Sequence, residues 1–257
     1  MKRIHLFEFE DLSWFPSFLR NYGTDFLQFM ANFFDIYPGI VPILKKGLEK
    51  GETLHILDLA SGGGGGWKTL GGHLKKKVPG LRVTLSDFYP NLEAFKSMKG
   101  YDNEVFDYYS ESLNALDVPK EIKGLRTQFL SFHHFKPKDA RHLLQNAVNS
   151  QAPIAIFEIQ QRDLSHFIKA LFSPISVLLT APFIRPFKIG RMIFTYLIPL
   201  VPLFVWWDGV ISVLRTYTFD EIHQLTENLE KGEAYKWESG KTKKGPLTIT
   251  YTLGYPK

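Results

Sequence analysis

At 257 residues, the chain is long enough for an α/β domain that carries an insertion. Hydrophobic residues make up 44% and charged residues 22%, which excludes wholesale disorder; the lack of cysteine excludes disulfides, thiolate metal sites and a cysteine nucleophile. A net charge of +5 is too small to choose between a nucleic acid and an anionic membrane as partner.

In chain order, Met1-Lys2-Arg3-Ile4-His5-Leu6-Phe7-Glu8 reaches acidic residues too early for a signal peptide, so the expected location is cytoplasmic. The 22 phenylalanines cluster in part at 7–37 and 183–207, outside the expected sheet, and suit either core packing or an apolar partner. Residues 24–49 place Phe26, Leu27, Met30, Phe33 and Phe34 at helical spacing, with a break near Pro38. Leu54–Ala60 is an apolar run that ends in glycines and reads as a buried parallel strand. A helix over Trp67–Lys77 follows, stopped by Pro79-Gly80, and then a strand over Leu81–Asp87. Further strands are expected at Leu125–Phe132 and Pro153–Ile159 around a helix at Lys138–Ser150. Thr218-Phe219-Asp220-Glu221 has the form of a capping box. Leu247–Leu253 alternates polar and apolar residues, with Tyr235–Glu238 as its antiparallel neighbour.

Residues 164–214 break this alternation. Ala170–Ile184 and Met192–Trp207 carry no charge, and Arg185, Lys188 and Arg191 lie between them. A membrane span needs about 20 apolar residues. Both runs are shorter and contain prolines, so the segment is expected to form an inserted helical hairpin that caps the cleft or dips into one leaflet. The resulting division is an N-terminal helical cap (1–50), a cofactor-binding core (51–163), the apolar insertion (164–214) and the C-terminal part of the core (215–257).

Asp58-Leu59-Ala60-Ser61-Gly62-Gly63-Gly64 is a strand end turning into a glycine loop ahead of a helix. Glycine is needed there because a Cβ would obstruct a ligand and restrict φ. The Gly-Lys-Ser/Thr sequence of a P-loop is absent, since Lys68-Thr69 follows Trp67 and not a glycine, and an acid inside the strand suits a cationic or amine-bearing ligand better than a pyrophosphate. The segment resembles the first motif of the class I S-adenosylmethionine-dependent methyltransferases, acid-x-Gly-x-Gly-x-Gly, with Ala60 in place of the first glycine. The resemblance implies a Rossmann-like α/β fold whose mostly parallel sheet ends in an antiparallel strand. It implies that S-adenosylmethionine binds along Asp58, Ala60, Ser61, Gly62 and Gly64. Asp87 would hold the ribose hydroxyls, Phe88 would pack on the adenine, and Asn114 and Ala115 would lie near the adenine amine, with Ser131 at the same cleft.

Leu130-Ser131-Phe132-His133-His134-Phe135 ends the next strand of the sheet. A histidine can take a hydroxyl proton as a methyl group arrives. His133 with Phe135 resembles the base of small-molecule O-methyltransferases, and His134 is the second candidate. Trp14, Glu158, Trp207 and Arg215 are the candidate substrate contacts, with Trp14 and Phe15 expected to meet Trp206 and Trp207 over the cleft. No histidine or carboxylate spacing suggests a metal site. The expected activity is O-methylation of a small hydrophobic or lipid-like acceptor, with peripheral membrane contact and no nucleic-acid partner. Two alternatives remain open: an NAD(P)-dependent oxidoreductase on a similar sheet, and a non-catalytic cofactor-binding membrane adaptor.

Overall fold

The computed structural model describes every residue except Pro246. The chain opens with a short 3-10 turn at Phe9–Asp11 and helices α1 (Ser17–Phe33) and α2 (Val41–Lys50), separated by the expected break before Pro38. Then come β1 (His55–Leu59), α3 (Trp67–Lys75), β2 (Arg82–Leu85), α4 (Leu92–Tyr101), β3 (Phe106–Tyr108), β4 (Leu125–Phe129), α5 (Pro137–Asn149) and β5 (Ile154–Glu158). After the insertion follow α10 (Phe219–Glu227), β6 (Tyr235–Lys244) and β7 (Leu247–Pro256).

The strands form one 7-stranded sheet in the order β3-β2-β1-β4-β5-β7-β6. β1 to β5 pair in parallel, while β7 runs antiparallel to both β5 and β6. The expected fold class therefore holds. The order turns back at β1, whose neighbours are β2 and β4, and such a switch point opens a crevice beyond the strands' C-terminal ends. Residues such as Leu44, Ile56, Leu70, Val83 and Leu125 are fully buried in the core on one side of the sheet. Each large apolar side chain so buried contributes roughly 1.5–3 kcal/mol. Helix starts follow local chemistry: Asn91 Oδ1 accepts the Ala94 N–H at α4, and Thr218 with Glu221 forms the expected capping box at α10.

Two elements were not expected, α4 and β3. The insertion also differs from a simple hairpin. It consists of α6 (Leu164–Leu171), α7 (Ser173–Thr180), α8 (Ile189–Met192), a π-turn at Ile193–Leu197 and α9 (Leu200–Arg215). The chain bends 42° between Leu164–Leu171 and Ser173–Phe183, and 76° between Ile189–Leu197 and Leu200–Arg215. Among the described residues no single helix is long and apolar enough to cross a membrane. The basic residues of the insertion are not a free cluster. Arg191 is buried and donates to Asp25 Oδ2 at 3.0 Å, and Lys188 pairs with Asp25 and Glu93, which leaves Arg185 alone exposed.

Candidate functional site

A cleft of about 330 Å³ opens at the C-terminal ends of β1, β2 and β4. Its floor is the glycine loop. Ala60, Gly62, Gly64 and Gly65 all take positive φ, at 54°, 56°, 89° and 45°, so the run supplies a backbone path that few side chains tolerate. A Cβ on Gly66 would lie 2.3 Å from the Tyr37 ring, so close packing as well as φ demands glycine there.

Helix α1 covers the loop with a polar stripe. Gln28 donates to the Gly63 carbonyl, and Asn32 Nδ2 donates to the Gly65 carbonyl at 2.7 Å. Thr24 backs Gly62 and Gly63, and the Arg20 guanidinium lies 4.2 Å from the centre of the Tyr89 ring. Arg20, Thr24, Gln28 and Asn32 are four apart, which puts them on one face of the helix. The sequence contains this spacing, but the helix was read only for its apolar positions.

Asp58 is 2% exposed. Its carboxylate accepts from Ser61 Oγ at 2.7 Å and Thr127 Oγ1 at 2.6 Å, which ties the loop to β4. Burial pushes Asp58 up to about 6, against these hydrogen bonds, which lower it. The Asp87 carboxylate accepts the Gly62 N–H at 2.7 Å and the Tyr89 N–H at 2.8 Å. Each oxygen keeps a lone pair free, so two neighbouring hydroxyls can still bind it. Phe88 stands half exposed at the rim. Asn114 closes an Asx turn onto the Leu116 N–H, and its neighbour Ala115 also lines the cleft. Ser131 Oγ is buried at the cleft wall with no partner among the described residues. Gly64 is the one expected loop residue outside the lining; its N–H is turned to the Ser61 carbonyl at 2.7 Å.

The histidine pair separates. His133 is 2% exposed and does not line the cleft. Its Nδ1 is 3.0 Å from Glu158 Oε1, and Glu158 also accepts the His133 backbone N–H at 3.2 Å. His134 does line the cleft. Its Nδ1 is 2.7 Å from Asp11 Oδ1, and its Nε2 is 3.6 Å from Glu8 Oε2. Burial disfavours its charged form, but Glu8 and Asp11 outweigh that and push His134 up to about 10. Burial would raise Asp11, yet His134 and Arg215 hold it well below the usual carboxylate range. Neither ring is the free base expected: His133 is walled in beside Glu158, and both ring nitrogens of His134 face carboxylates.

The four expected substrate contacts also lie elsewhere. Trp14 is 69% exposed and Phe15 packs on Phe204, with ring centres 5.2 Å apart. Trp207 donates to the Phe7 carbonyl at 3.0 Å. Glu158 lines a separate cavity of about 230 Å³ beside Arg162 and Thr250. Arg215, 2% exposed, donates to the Leu6 carbonyl at 2.7 Å and pairs with Glu8 at 3.0 Å and Asp11 at 2.7 Å. The residues missed by sequence reasoning are therefore acids of the N-terminal segment, Glu8, Glu10 and Asp11. Glu10 lines the cleft, and burial near Asp208 pushes its carboxyl up. Asp208 anchors the segment on α9 by accepting the Phe9 N–H at 2.7 Å and the Glu10 N–H at 3.2 Å.

No family model matches the chain, and no curated protein matches it in sequence. Solved structures do match its fold. The methyltransferase domain of bacterial CtHen1 is 12% identical at a TM-score of 0.50, over 84% of this chain and 96% of that domain. An O-methyltransferase family protein from Burkholderia thailandensis is 14% identical at 0.47, over 85% of this chain and 57% of that one. Magnesium protoporphyrin IX methyltransferase from Synechocystis, solved with SAH bound, is 12% identical at 0.45, over 86% and 84%. The chain thus spans little more than half the length of the Burkholderia protein. Strand order, the antiparallel β7 and the CtHen1 match together show that the chain has the class I methyltransferase fold.

Proposed function

We propose that the protein transfers a methyl group from S-adenosylmethionine to an oxygen of a small hydrophobic acceptor. The observation that carries this reading is the glycine loop at the switch point with the Asp87 carboxylate beside it, under a lid formed by α1. S-adenosylmethionine would supply an activated methyl group on a cationic sulfur. Asp87 would take the two ribose hydroxyls, with its orientation already fixed by the Gly62 and Tyr89 N–H groups. Asp58 would place a negative charge under the cationic end of the cofactor. Leu27, Leu70, Trp67 and Phe129 line the same cleft and would exclude water from the reacting centre. His134, held between Asp11 and Glu8, would point its charge at the acceptor oxygen and stabilise the anion as it loses its proton.

The Asp58 assignment predicts a pH dependence. The carboxyl is raised from 3.8 to about 6, so it is neutral below that pH and ionised above it. Its contribution to folding stability is full below 3.8 and is lost as pH rises through 6. Affinity for a cation runs the other way. Binding of S-adenosylmethionine should be pH-independent on this account above 6 and fall by up to about tenfold per unit below it. Calorimetric titration at several pH values checks this, and a flat profile in Asp58→Asn with a sloping one in wild type is the expected pair of results.

An apolar acceptor is supported by the insertion. Leu164, Phe172, Leu179, Phe183, Ile189 and Leu197 are each 59% exposed or more, an unusual display for the surface of a soluble protein. We assign these exposed side chains to contact with the edge of a lipid bilayer, beside which a lipid-like acceptor would enter without crossing water. Two readouts test it. Label from methyl-labelled S-adenosylmethionine incubated with cell extract should partition into the organic phase. The protein should float with phospholipid vesicles, and Leu179→Asp with Leu197→Asp should abolish flotation. Label confined to the aqueous phase, with no flotation of wild type, rejects the apolar-acceptor and membrane assignments.

A further inference from the structure

The two histidines and Glu8 form a group whose geometry has a use that the proposed methyl transfer does not require. Glu8 and His133 are 1% and 2% exposed, and one donor atom from each of Glu8, His133 and His134 lies within 4.8 Å of the other two. Each ring is oriented by a carboxylate at Nδ1: His133 by Glu158 at 3.0 Å, and His134 by Asp11 at 2.7 Å. That leaves both Nε2 atoms turned towards Glu8, at 3.8 Å from Oε1 for His133 and 3.6 Å from Oε2 for His134. Buried His133 Nε2 has no hydrogen-bond partner among the described residues, and Glu8 Oε1 is met only by the Arg215 guanidinium, at 3.0 Å.

An imidazole that gives its N–H to a carboxylate and presents its other nitrogen is the usual outer support of a metal-bound histidine. Zinc–nitrogen bonds of about 2.0–2.1 Å in a tetrahedral site put ligand atoms roughly 3.4 Å apart. The two spacings to Glu8 are a few tenths of an ångström wider, a gap that small side-chain shifts would close. Glu8 Oε1 has the Arg215 guanidinium at 3.0 Å, whereas His133 Nε2 is a buried polar atom without a partner, which is costly unless a ligand meets it.

We propose that Glu8, His133 and His134 bind a divalent first-row transition metal through one carboxylate and two imidazoles. The ligand set favours zinc, manganese, iron or cobalt over magnesium and calcium, which take oxygen ligands. Arg215 lies 3.0 Å from Glu8 Oε1, but it is shared with Asp11 at 2.7 Å and the Leu6 carbonyl at 2.7 Å, which offsets its charge beside the ion. Ser212 Oγ donates to Glu8 Oε2 at 3.2 Å and fixes the other side of the carboxylate. His134 lines the cleft, so the remaining coordination position would open there. The ion would displace the proton that His134 Nε2 otherwise carries, and if the methyl-transfer reading holds it would take over from the charged imidazole the polarisation of the acceptor oxygen; the metal site itself does not depend on that reading. Sequence spacing gave no sign of it because Glu8 lies far upstream of the histidine pair.

The test uses full-length protein stripped with chelator and dialysed. Zinc chloride titrated by calorimetry should bind at one equivalent, and cobalt should give the visible absorption of a low-symmetry, nitrogen-ligated site. Glu8→Gln and His134→Gln should each weaken zinc binding by at least about tenfold. His142→Ala, which removes an exposed histidine paired with Asp117, should leave it unchanged. His134→Gln replaces a partly exposed side chain and keeps the test valid if the Glu8 variant does not fold. Absence of zinc heat and of the cobalt spectrum in wild type, or equal zinc affinity in a folded His134→Gln protein, overturns the proposal. S-adenosylmethionine titrated into the same stripped protein separates the two readings: binding of the cofactor without binding of zinc removes the metal site alone.

Discussion

Replacing His134 with alanine is expected to lower turnover by roughly 10²–10³, the usual loss when a charged or oriented donor to a developing oxyanion is removed. The side chain lines the cleft, and its Nδ1 lies 2.7 Å from Asp11. It would act on the acceptor oxygen and not on the cofactor, so S-adenosylmethionine affinity should stay within about twofold of wild type. Initial rates with labelled cofactor, alongside cofactor titration and circular dichroism, read the three quantities separately. A folded variant with wild-type turnover would remove His134 from the chemistry and leave positioning and desolvation as the sources of rate. His133→Ala is expected to act differently, because that ring is buried against Glu158 and its loss opens a hole there and removes one of that carboxylate's partners, leaving Gln160 and the residue 133 N–H.

Arg215→Met should destabilise the protein by about 3–5 kcal/mol, the range for breaking a buried ion pair by removing one partner. The guanidinium joins the start of the chain to the end of α9 through Leu6, Glu8 and Asp11. Arg3 reinforces the junction by donating to the Arg215 carbonyl at 2.6 Å and stacking 3.9 Å from the centre of the Tyr217 ring. Without Arg215, Glu8 is left as a buried charge with only Ser212 and the histidines nearby. Urea unfolding measures the effect. A loss below about 1 kcal/mol would mean that the segment is held mainly by its apolar contacts, Phe9 and Trp207 among them, and that the pair is energetically a surface one.

The sheet was legible where one residue run decides its own fate. The apolar strand of Leu57 and Leu59 ends in a glycine loop, and no other local structure suits that order of residues. β3 was not legible because only three residues, Phe106–Tyr108, carry it, and its place at the sheet edge is set by pairing with β2. α4 had a signal that was passed over: Leu92, Phe95 and Met98 at helical spacing behind an Asn91 cap. The assignment of His133 over His134 failed for a geometric reason. Adjacent residues in a 3-10 turn point about 120° apart, and which one meets the cleft depends on where the turn is docked. Asp11 and Glu8 reach the histidines through tertiary contacts across nearly half of the chain, which spacing cannot express. The same holds for Arg191, whose partner Asp25 lies on α1.

The most direct test of the account is calorimetric titration of the purified protein with S-adenosylmethionine, with NADH as the competing ligand and Asp87→Ala as the control. The account predicts a single site of micromolar strength, about −8 kcal/mol, and no heat with NADH. Removing the Asp87 carboxylate should weaken binding by about 1–3 kcal/mol, since two hydroxyls lose their acceptor and the Gly62 N–H loses its anchor. Saturable heat with NADH and none with S-adenosylmethionine, or equal cofactor affinity in wild type and Asp87→Ala, would contradict it.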